Sequence, residues 1–84
     1  IRPVQSPEER RRVQGELDSR RRSAEEAVAK ARNRTLTEQQ KEAVARITSF
    51  LDQAAAAFTD DDLQQADALS SRAYLLSQDL MRDK

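Results

Sequence analysis

The sequence predicts an all-α protein: an antiparallel, up-down-up bundle of three helices with coiled-coil-like packing. Three observations predict it. Apolar and small residues recur at steps of three and four through most of the chain, the spacing of one helix face. Three capping signatures, Ser6–Glu9, Thr37–Gln40 and Asp62–Gln65, cut that pattern into three segments. One Gly and two Pro in 84 residues leave too few turn formers for a β fold.

The first helix is expected over about 7–34. Ser6 is the N-cap, Pro7 occupies the first helical position where its missing N–H costs nothing, and Glu9 closes a capping box. Glu8 and Glu9 in the first turn suit the helix dipole. Val13, Leu17, Ala24, Ala27, Val28 and Ala31 then mark one face. The step from Leu17 to Ala24 skips a position, and Arg20 or Arg21 must fill it.

The second helix is expected over about 38–58, capped by Thr37 with Gln40, or by Thr35 with Glu38. Val44, Ile47, Leu51, Ala54 and Phe58 form its main stripe. Ala43, Phe50 and Ala57 widen it, as a helix touching two neighbours requires. The third helix is expected over about 63–82, with Ala66, Leu69, Ala73, Leu76 and Leu80 inward. Tyr74 reads as a core-rim residue. Phe50 and Leu75 lie on flanks, where exposure of either would mark an interaction surface. Loops of three or four residues make neighbouring helices antiparallel. Matching levels across the turns puts Val28 near Val44, Leu17 near Ala55, and Leu51 near Leu69. The first helix is the longest, so its first two turns, with Arg10-Arg11-Arg12, are expected to project past the bundle.

Composition limits the chemistry. A chain with 37% apolar and 36% charged residues can bury only a thin core. Without Cys or His it lacks disulfides, thiolate metal sites and the commonest general base. There is no Gly-rich phosphate loop and no nucleophile elbow. The carboxylates fall on solvated faces, with no pocket to drive their pKa values apart. Asp60, Asp61 and Asp62 point in different directions and suit capping rather than a Ca²⁺ loop. No catalytic, cofactor-binding or metal-binding residue is expected, nor a small-molecule substrate. No apolar run is long enough to span a membrane. A chain beginning at Ile1 rather than Met is read as one domain, 1–84, processed or excised from a longer protein.

Net charge is zero but unevenly spread. Residues 1–34 hold ten Arg/Lys against six Asp/Glu, a net +4. The remainder holds five against nine, a net −4. The halves can attract each other, or the basic segment can meet an external anion. The candidate surface is the pair of triplets Arg10, Arg11, Arg12 and Arg20, Arg21, Arg22. An offset of ten or eleven residues sets Arg10 with Arg21, and Arg11 with Arg22, on shared faces. One reading is a phosphate-tracking stripe, although no aromatic or amide side chains alternate with the arginines to read bases. The other is a solvated face with Glu16, Glu25 and Glu26 as intrahelical partners. For whichever of Arg20 and Arg21 fills the core gap, Asp52 is the first expected partner and Asp67 the second.

The run Asp61-Asp62-Leu63-Gln64-Gln65-Ala66-Asp67-Ala68-Leu69-Ser70-Ser71-Arg72-Ala73 resembles the helices of tetratricopeptide-like helical-hairpin domains. Leu36-Thr37-Glu38-Gln39-Gln40, with Ile47, Phe50-Leu51 and Gln53-Ala54, is similar to the same domains. The combination resembles domains of uncharacterised bacterial cell-envelope proteins and covers about residues 35–82. There is no second copy of the unit, Asp61 stands where such domains usually have Gly, and Ala replaces their larger aromatics. The resemblance implies a non-enzymatic structural or protein-interaction module, periplasmic or envelope-associated. Twelve Arg against three Lys, with abundant Ala, suits a GC-rich bacterial source. Its partner would be another protein, or a second copy through the first helix. The alternative function is binding of nucleic acid or anionic lipid through the arginine triplets.

Overall fold

The computed structural model describes residues 7–82. Within them lie three helices: α1 (Pro7–Arg32), α2 (Glu38–Thr59) and α3 (Leu63–Arg82). They run up, down and up as an elongated body of 48 × 19 × 15 Å, and α1 is the longest. The expected N-cap of α1, Ser6, lies outside the described residues. Its C-terminus comes two residues earlier than expected, where Asn33 and Arg34 close a turn onto the carbonyls of Lys30 and Ala31.

The other two boundaries follow from their caps. Thr37 Oγ1 accepts from the Gln40 backbone N–H at 3.1 Å, and Gln40 Oε1 accepts from the Thr37 N–H at 2.9 Å. This reciprocal box starts α2 and settles the choice between Thr35 and Thr37. Asp62 Oδ1 accepts from the Gln65 N–H at 3.2 Å and starts α3. Between them α2 ends in a Schellman motif. The Asp62 N–H reaches the Ala57 carbonyl at 2.9 Å, and the Asp61 N–H reaches the Phe58 carbonyl at 3.0 Å. That motif places Asp61 in the left-handed region, with φ 63°, where Gly is the usual occupant.

Among the described residues thirteen apolar side chains are buried, and six of them are alanines. Cohesion therefore depends on close helix approach as much as on large side chains. The helices approach unequally: α3 packs along both α1 and α2, whereas α1 and α2 meet at few points. Leu63, Ala66, Ser70, Ala73, Ser77 and Leu80 are the buried heptad positions of α3, flanked by Leu69. Ser70 and Ser77 are fully buried. Their hydroxyls donate to the carbonyls of Asp67 at 3.0 Å and Tyr74 at 2.6 Å, which removes the cost of burying them. Neither serine belongs to the inward stripe expected from apolar spacing, and small size proves decisive over polarity. Ile47, Val44, Leu51, Ala24, Ala31, Ala73 and Leu80 form the central cluster, with Val28, Leu36, Phe50 and Leu76 packed around it.

The expected overhang is corrected. Arg10 does not project into solvent. Its guanidinium stacks 4.3 Å from the centroid of the Phe58 ring and is ion-paired with Asp61. Val13, one turn later, is buried. The first turns of α1 therefore clasp the α2–α3 turn. In an Arg10→Ala background, Asp61→Gly is expected to raise stability by about 0.5–1 kcal/mol, because Gly enters the left-handed region without a Cβ penalty. With Arg10 present the gain should largely vanish, since the exposed ion pair is lost at the same time. Urea denaturation in both backgrounds checks this; equal gains in both would show that the pair contributes nothing.

Candidate interaction surface

The two arginine triplets do not form one surface. Because α1 faces α3 along one edge and α2 along another, successive arginines turn to different neighbours. Arg20 fills the gap between Leu17 and Ala24 and reaches α3. Its Nη1 donates to Asp67 Oδ1 at 2.6 Å and Ser70 Oγ at 2.9 Å, and lies 3.3 Å from the Asp67 carbonyl oxygen. The Arg20 side chain keeps 24% of its exposure and Asp67 keeps 48%, so this is a half-buried clasp. Asp67, the second expected partner, is the actual one. Asp52 is exposed and pairs with neither arginine.

Arg21 turns the other way. Its Nη2 donates to the Leu51 carbonyl at 3.2 Å, and its Nη1 lies 3.5 Å from Glu25. The Arg21–Leu51 contact also fixes the level of α1 against α2, in line with the expected Val28–Val44 match. Arg12 pairs with Glu16 one turn on. Of the six triplet arginines, only Arg11 and Arg22 are exposed and make no ion pair among the described residues. Two cations three turns apart make a poor phosphate track, since affinity scales with the number of phosphates neutralised.

Grooves follow the helix seams. One of about 310 Å³ between α1 and α2 is floored by Val28, Ile47 and Leu51, with Arg21, Glu25 and Asp52 on its rim. Its mixed charges favour neither sign of ligand. A wider groove of about 450 Å³ between α2 and α3 is lined by Phe50, Leu75 and Leu76, with Arg46 and Arg72 beside them. Leu75 is 62% exposed, the most of any large apolar residue described. Tyr74, expected at the core rim, is 37% exposed, and Met81 is 44% exposed.

Arg46 and Arg72 were not among the sequence candidates. A signal existed: Ala68, Arg72, Leu75, Asp79 and Arg82 form a second heptad stripe on α3, outside the core stripe, and all five are exposed. Among the described residues no group of three acidic side chains could hold a metal ion, and no helix is long and apolar enough to cross a membrane.

Comparison with family models, curated proteins and solved structures returns no match.

Proposed function

We propose that the chain is a non-catalytic structural and protein-interaction module that works through the α2–α3 face. The observation that carries this reading is the apolar cluster of Phe50, Leu75 and Leu76, which includes a leucine 62% exposed in a chain with few large apolar residues to spare. The fate of the triplets supports it as well, because Arg10, Arg20 and Arg21 are engaged within the fold. Placement in a bacterial cell envelope belongs to the same proposal and rests on the resemblance of residues 35–82.

The rival reading, nucleic acid or anionic lipid bound by α1, has a distinct signature. Counterion release would make such binding steeply salt-dependent. Titrations with duplex DNA and with phosphatidylserine vesicles at low salt are expected to show no saturable binding. Binding that weakens with added salt and is lost on Arg11→Ala with Arg22→Ala would overturn the proposal.

A further inference from the structure

We infer that the occupant of the α2–α3 face is a second copy of this chain, docked with its α3 antiparallel about a two-fold axis beside Leu75. This inference rests on the interaction-module reading and names its partner. The argument begins with the exposed stripe of α3. Residues 68, 72, 75, 79 and 82 share one exposed face of α3, with Leu75 its one large apolar side chain, and at their 4-3-4-3 spacing they offer a strip along which a helical neighbour can lie. The bundle itself supplies no such neighbour, because α1 and α2 cover other faces of α3.

The charges around Leu75 select the partner. Arg72 precedes it by three residues and Asp79 follows by four. In an antiparallel pairing of two α3 helices, with Leu75 of one copy against Leu76 of the other, position 72 falls opposite position 79. The two-fold axis then makes that match twice, Arg72 of each copy meeting Asp79 of its mate. An isologous interface must be self-complementary in this way. A parallel pairing would instead set Arg72 on Arg72 and Asp79 on Asp79, which like-charge repulsion disfavours.

Present ionic contacts leave these groups available. Arg72 and Arg46 form no ion pair among the described residues, and Asp79 has only an exposed Arg82 contact at 3.5 Å. Arg46 lies one turn before Phe50 on α2 and adds a second cation beside the groove that the mate's Asp79 would approach. Leu75, Leu76 and Phe50 supply the apolar centre, and the charged pairs supply a rim that sets direction. A patch led by three apolar side chains is small beside standard stable interfaces, so the dimer belongs to the weak, concentration-dependent class.

Sedimentation equilibrium from micromolar to roughly millimolar protein tests this. The native chain is expected to shift from monomer to dimer across that range. Leu75→Ser should remain monomeric. Arg72→Asp and Asp79→Arg should each weaken association at least ~10-fold, by setting like charges opposite each other. The double variant carrying both changes should recover to within about 3-fold of the native chain, because the swap restores both pairs. All these positions are exposed, and unchanged circular-dichroism melts of dilute protein will show that the variants fold. A chain monomeric throughout overturns the inference, as does a double variant no better than either single. Neither result touches the interaction-module reading, which falls instead if the DNA or vesicle titrations are positive.

Discussion

Ile47→Ala is expected to destabilise the fold by about 3 kcal/mol or more, within the ~2–5 kcal/mol range for truncating a buried aliphatic side chain to Ala. Ile47 is the largest fully buried side chain and lies in the cluster shared by all three helices. Its neighbours Ala24, Ala31 and Ala73 have no rotamers with which to refill a void, so the cavity should persist. A chain of this length holds about 4–13 kcal/mol in total. Each kcal/mol moves the midpoint of a small domain by about 4–8 °C, so the melt should drop by more than ~10 °C. Ile47→Val should cost only about 0.5–1.5 kcal/mol. An unchanged melt for Ile47→Ala would take Ile47 out of the core and break the assignment of helix faces. The expected Leu51 and Leu69 positions obey the same logic, since both are buried.

What the sequence made legible was whatever local chemistry decides. Caps bound the helices, and two of the three, Thr37–Gln40 and Asp62–Gln65, are seen as bonded pairs. The heptad steps picked out Ala24, Ile47, Ala54 and Ala73, all fully buried. What stayed hidden depended on how near one helix comes to another. Ser70 and Ser77 look polar in isolation, yet their hydroxyls are satisfied by their own backbone, and their small volume lets α3 lie close to its neighbours. That approach brought Asp67 rather than Asp52 to Arg20. Matching levels from loop lengths gives height along the bundle and says little about which neighbour is nearer. Arg10 was hidden for a related reason. Its partner Asp61 is oriented by a left-handed turn that no helical periodicity announces, although a non-glycine residue at the C′ position was a clue.

Arg20→Ala is expected to cost about 1–2 kcal/mol, between the ~0–1 kcal/mol of an exposed bridge and the larger loss from breaking a buried one. The geometry sets that middle value: a 2.6 Å bond to Asp67 and a 2.9 Å bond to Ser70, on a side chain 24% exposed facing one 48% exposed. Part of the loss is packing, because the Arg20 stem covers the core between Leu17 and Ala24. Arg20→Met keeps most of that stem and removes the charge, so it should lose less than Arg20→Ala. Ser70 keeps its own bond to the Asp67 carbonyl in either variant, so no buried hydroxyl is orphaned. Double-mutant cycles by urea denaturation separate the ionic part. Coupling of Arg20→Ala with Asp67→Ala should exceed ~0.5 kcal/mol, and coupling with Asp52→Ala should be within error of zero. The result bears on function as well as on stability. Coupling to Asp67 means that the positive charge of α1 is partly neutralised by α3, and that Arg20 helps to hold the parallel α1–α3 pair in register. Zero coupling would return Arg20 to the cations available to an external anion, and the nucleic-acid reading would gain what the interaction-module reading loses.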